Sequence, residues 1–96
     1  MSTLVLFEVE AQPGRMDDLI ALFEEVLPDT RGYDGCQGVT VHRDQDATDR
    51  LLLVERWMSR SHYETYLAWR VQRNDPRLGA LLTGPPATRF LDDVEA

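Results

Sequence analysis

The chain has 96 residues, a net charge of -7 and a pI near 4.6, with 43% hydrophobic and 28% charged side chains, so it reads as one globular domain over 1–96. That charge leaves no basic footprint for nucleic acid or an anionic membrane surface, and because all ten basic residues are Arg, lysine-base and Schiff-base chemistry is excluded. A single cysteine, Cys36, rules out an intrachain disulfide, no apolar run nears the roughly 18 residues of a membrane span, and no secretory signal is legible, so a cytoplasmic protein is expected.

Thr3 to Glu10 (TLVLFEVE) is rich in β-formers and reads as the first strand, broken by Pro13-Gly14. Asp17 and Asp18 sit where a helix amino terminus welcomes negative charge. Met16, Leu19, Ile20, Phe23, Val26 and Leu27 follow at helical spacing, and Pro28 is expected to end the run. Gly32, Gly35 and Gly38 mark a loop into a second strand, Val39 to Arg43. The polar stretch from Asp44 to Asp49 is a turn, and Arg50 to Trp57 (RLLLVERW) is a third strand, giving an antiparallel hairpin. Ser61 and Glu64 have capping-box spacing and open a second helix that runs to about Arg73. Asn74-Asp75-Pro76 stops it and starts a short helix, Arg77 to Leu82, with Asp75 as the cap. Gly84-Pro85-Pro86 ends that helix, and Thr88 to Leu91 is the last strand.

This βαββαβ order predicts an α+β, ferredoxin-like domain whose four-stranded antiparallel sheet carries both long helices on one face. Leu4-Val5-Leu6-Phe7 and Leu51-Leu52-Leu53-Val54 are apolar at successive positions, so both sheet faces are greasy. Two helices cover only one face. The polar tail from Asp92 to Ala96 is a poor cover for the other, so a second copy of the sheet is the expected partner and a homodimer follows.

The second helix carries the candidate chemistry. At 100° per residue, Trp69, His62, Tyr66, Arg70, Tyr63 and Leu67 share one arc, so an Arg stands in the middle of an aromatic inward face. A buried guanidinium requires a partner, and Glu55, on the sheet face of Leu51, Leu53 and Trp57, is the favoured one. The competing reading turns Arg70 into a small cavity as an anion contact. Trp57 is either core or the wall of an aromatic pocket. His62 reads as a half-exposed surface residue with a general base as the rival assignment, and Cys36 as a small filler. His42 and His62 fall on different elements, so no metal site is expected.

Pro13-Gly14, Leu27-Pro28, Tyr33-Asp34-Gly35-Cys36, Glu55-Arg56-Trp57, Tyr66 to Arg70 (YLAWR) and Gly84-Pro85-Pro86 together resemble the antibiotic biosynthesis monooxygenase family over nearly the whole chain. The resemblance implies a dimeric α/β barrel, two ferredoxin-like sheets packed face to face. Well-known members oxidise polycyclic phenols or quinols to quinones with O₂ and use neither metal nor flavin, and a relative degrades haem. By the same resemblance Trp57 borders the ligand cavity, Tyr63 hydrogen-bonds the substrate and Arg77 supplies a cavity arginine. Tyr66 adds a flat surface, Arg70 or Arg77 positive charge, and His62 the base. Leu53 is a departure, since the quinone formers resembled place an asparagine there. The haem degraders would have theirs at Phe7 and an axial histidine near Leu67, with His62 out of register, so haem degradation is disfavoured. The function expected is therefore cofactor-independent oxidation of a small phenol or quinol by O₂. The alternative is a noncatalytic dimer that binds a small aromatic in the same pocket.

Overall fold

A computed structural model describes residues 2–96. Strands β1 (Thr3–Glu10), β2 (Cys36–Arg43), β3 (Arg50–Trp57) and β4 (Ala87–Asp92) form one antiparallel sheet in the order β2-β3-β1-β4. The helices are α1 (Met16–Arg31), α2 (Arg60–Arg73) and the short α3 (Arg77–Leu81). This is the ferredoxin-like α+β arrangement expected from the element order.

Strand alternation decides which residues meet the helices. In β3 the burial alternates residue by residue, with Leu51, Leu53, Glu55 and Trp57 buried and Leu52, Val54 and Arg56 only half-buried. Register places Val5 and Val39 on either side of Glu55, and Phe7 and Val41 on either side of Leu53. Leu4, Leu6 and Leu91 share the opposite face with Leu52 and Val54. Among the described residues no helix lies on that second face, and its apolar side chains stay only half-buried.

The helix side holds two cores. One joins Val9, Leu19, Phe23, Leu27, Leu51, Leu53 and Leu81 beneath α1 and α3. The other is aromatic, with Val5, Trp57, Tyr63 and Tyr66 buried and Tyr33, Trp69 and Phe90 packed around them. Trp57 is fully buried, its ring centroid 5.0 Å from that of Tyr66 and 5.6 Å from that of Tyr63. Aromatic pairs at such separations add to the stabilisation from burial alone.

Several boundaries differ from the sequence expectation. Pro28 does not end α1 but sits inside it, and the helix runs on through Arg31. Proline forfeits one amide bond, yet the last turn closes through Gly32 N–H to the Pro28 carbonyl and is anchored by buried Thr30. Ser59 rather than Ser61 caps α2, its hydroxyl accepting from the His62 amide. Strand β2 begins at Cys36, with a bulge between Cys36 and Gly38 that leaves Gln37 as the extra residue. In the hairpin, the Asp44 carboxylate accepts the amides of Asp46 and Ala47, which builds the turn from the polar run.

Candidate active site

Between the two cores lies a cavity of about 180 Å³. Leu22, Phe23, Val26 and Leu27 of α1 form one wall, and Tyr63, Tyr66, Leu67 and Arg70 of α2 the other. Phe7, Leu53 and Glu55 make the sheet floor, and Leu78 and Asp75 stand at the α3 end. The volume is close to the roughly 150 Å³ of an apolar cavity known to take benzene, so the space suits one or two rings.

Arg70 bridges the gap between α1 and α2. Its Nε donates to the Tyr66 hydroxyl at 2.9 Å, and Nη2 donates to the Val26 carbonyl at 2.8 Å and to Thr30 Oγ1 at 2.9 Å. Thr30 and Tyr66 share a further hydroxyl–hydroxyl bond of 2.7 Å. The guanidinium also stacks on Trp69, 4.9 Å from the ring centroid. The expected ion pair with Glu55 is absent among the described residues. The Val26 carbonyl of α1 and two hydroxyls satisfy the cation instead, so it needs no carboxylate.

Glu55 therefore has a different role from the one the sequence suggested. It is 4% exposed, and its Oε1 accepts the Trp57 indole N–H at 3.0 Å. Its Oε2 has no hydrogen-bond partner among the described residues, and the carboxyl lies in the cavity floor. Burial pushes the carboxyl above the ordinary carboxylate range, and the indole bond only partly offsets it.

Tyr63 is 2% exposed and faces the same cavity, with no hydrogen bond to its hydroxyl among the described residues. Burial, and secondarily the Glu55 charge and Tyr66, hold the phenol protonated far above its ordinary value. It is thus a fixed hydrogen-bond donor beside a carboxyl.

The site residues suggested by the sequence separate into two groups. Leu53, Tyr63, Tyr66 and Arg70 meet at the cavity. Trp57 does not line it, because the indole is spent on Glu55 and the ring lies beneath both tyrosines. His62 also lies outside it. Its ring packs on Gly35, and Nδ1 is 2.6 Å from Ser59 Oγ in the cap of α2. Arg77 is turned away, paired with Asp75 and Glu25 on the surface. That pairing, first through the Arg77 side chain, depresses Asp75 to about 2. Local capping geometry aims both His62 and Arg77 outward, and a helical wheel alone does not see it. Glu55 was legible only as a carboxylate on the inward face of an apolar strand.

Solved structures share this architecture. Rv0793 from Mycobacterium tuberculosis is 27% identical, with a TM-score of 0.77 over 100% of this chain and 98% of that one. An antibiotic biosynthesis monooxygenase of known structure is 20% identical, with a TM-score of 0.83 over 97% and 99% of the two chains. A conserved protein from Methanosarcina mazei is 14% identical, with a TM-score of 0.84 over 95% and 91%. The latter two show the fold alone. No curated protein sequence matches the chain. The model of the antibiotic biosynthesis monooxygenase family matches residues 3–71. The chain belongs to that family. Among the described residues, no helix is long and apolar enough to cross a membrane.

Proposed function

We propose that the chain is a monooxygenase that oxidises a one- or two-ring phenol to a quinone with O₂, without metal or flavin, as a homodimer. The observation that carries this reading is the cavity between the cores, where a protonated Tyr63 hydroxyl faces an apolar, ring-sized space. An electron-rich phenolate can itself pass an electron to O₂. The protein then has to bind the ring, stabilise the phenolate oxygen and keep water out. Tyr63 supplies the hydrogen bond, the leucines and phenylalanines of α1 and the floor supply the dry walls, and Arg70 locks α1 to α2. With 1,5-dihydroxynaphthalene, one O₂ oxygen enters the ring at the open para carbon and the other leaves as water, giving 5-hydroxy-1,4-naphthoquinone.

The dimer reading rests on the half-buried row of Leu4, Leu6, Leu52, Val54 and Leu91 on the helix-free face. Family membership favours the same assembly.

Oxygen uptake and quinone absorbance with a series of one-, two- and three-ring phenols test the activity on chelator-treated protein shown free of flavin and haem. The two-ring substrates should turn over fastest, and Tyr63→Phe should lower the rate while leaving ring binding nearly intact. Tight binding across the series with oxygen uptake no faster than in buffer would make the protein a binder of small aromatics instead.

A further inference from the structure

The carboxyl in the cavity floor has no structural task that requires a free oxygen. Trp57 needs only one acceptor, and Oε1 is that acceptor. Gln at this position would satisfy the indole equally well. Burying the acid is unfavourable, and since no fully buried side-chain oxygen among the described residues lacks a partner, Oε2 keeps an opening, for which the cavity that Glu55 lines is the place. The neighbouring strands offer no relief, since Val5 and Val39 flank it in register.

The groups that face Glu55 are few. Tyr63, Tyr66 and Arg70 come from α2, Cys36 from β2, and Asp75 stands at the far end beyond α2. α1 contributes Thr30 but no titratable group to the lining, and β1 contributes Phe7. Arg70 is committed to Tyr66, Val26 and Thr30, and Asp75 to Arg77. Tyr63 is held protonated. Glu55 is the one group of this set placed to accept a proton inside the cavity, and His62 lies outside it.

We propose that Glu55 is the general base of this site, its Oε2 taking the phenolic proton of the bound ring while the Tyr63 hydroxyl donates to the phenolate oxygen so formed. This rests on the phenol-oxidising reading above. The phenolic O–H bond breaks, an Oε2–H bond forms, and the electron pair of the O–H bond stays on the phenolate oxygen. After O₂ has added at the open ring carbon, the proton on Glu55 passes to the peroxide. Loss of the ring C–H proton together with hydroxide then releases water and the quinone. A carboxylate whose proton affinity is raised by burial is a stronger base than a solvated one, which suits such a transfer.

Two readouts on wild type, Glu55→Gln and Glu55→Asp test the assignment. The first is the spectrum of 4-nitrophenol bound at a pH one unit below its free ionisation. Wild type should show the phenolate band, with the proton retained on the protein, and Glu55→Gln should show bound neutral phenol. The same neutral spectrum in both proteins would overturn the assignment, whether or not the protein turns over. The second is oxidation of 1,5-dihydroxynaphthalene across pH. Glu55→Gln should lose roughly 100-fold or more in kcat with little change in KM, and its residual rate should climb with hydroxide instead of following one ionisation. Glu55→Asp, with a shorter reach, should recover part of the loss. Turnover by wild type with an unchanged rate and pH profile in Glu55→Gln would remove Glu55 and leave the oxygenase reading standing. Absence of turnover by wild type, with the phenolate band present, would remove the oxygenase reading and leave the base.

Discussion

Replacing Arg70 with Met removes three hydrogen bonds at once, to the Tyr66 hydroxyl, the Val26 carbonyl and Thr30 Oγ1. Bonds to a charged donor contribute about 1.5–3 kcal/mol when well buried, but Arg70 is only half-buried, and solvent screening brings each nearer 1 kcal/mol. The expected loss is therefore about 3 kcal/mol, or on the order of 15 °C in the unfolding midpoint of a chain this size. The instructive measurement is a pair of double-mutant cycles by urea unfolding at one protein concentration. Arg70→Met combined with Tyr66→Phe should show a coupling of about 1 kcal/mol, since one bond joins the two side chains. Arg70→Met combined with Glu55→Gln should be additive within about 0.5 kcal/mol, since the two share no partner. Strong coupling between positions 70 and 55, with none between 70 and 66, would refute the bridging role and restore the ion pair that the sequence suggested.

Because burial raises the Glu55 carboxyl, the folded state holds a proton that the unfolded chain has already lost. Wild-type stability should fall as pH rises from the ordinary carboxylate range through the raised value, and Glu55→Gln should lack that decline, as thermal melts across pH would show. Gly35 has φ +89° and an added Cβ would lie 2.5 Å from His62 Cδ2 and 2.6 Å from His62 Cβ. Gly35→Ala should therefore cost about 3 kcal/mol, and His62→Ala should not rescue it because the offending Cβ remains. Light scattering should give about twice 11.0 kDa for wild type and 11.0 kDa for a Leu52→Arg, Val54→Asp variant; a monomeric wild type would sink the dimer. Arg77→Ala should leave kcat and KM for the phenol unchanged, since its guanidinium is held by Asp75 and Glu25 outside the cavity; a large loss of turnover would return it to the site.

The order of elements, the antiparallel hairpin and the two-sided apolar strands were all legible from the chain, because strand and helix periodicity are local properties of sequence. The bounds of β1 and β3 follow from their β-rich runs alone. Helical periodicity likewise gave the inward arc of α2, with Tyr63 and Tyr66 on it. Tertiary structure alone decided how the polar members of that arc are satisfied. Arg70 reads as the partner of Glu55 because opposite charges on two inward faces make the simplest pairing. A turn of helix beyond Pro28, invisible to propensity, adds Thr30 to the Val26 carbonyl that precedes the proline, and together they capture the guanidinium instead. Trp57 then takes one oxygen of Glu55 and leaves the other facing the cavity. The helical wheel drew His62 to the site and the family resemblance drew Arg77, whereas the Ser59 cap and the Asp75 carboxylate hold them outside it. Periodicity assigns a residue to a face; for Arg70 the partners that decide its role lie 40 and 44 residues away in α1, and only packing brings those together.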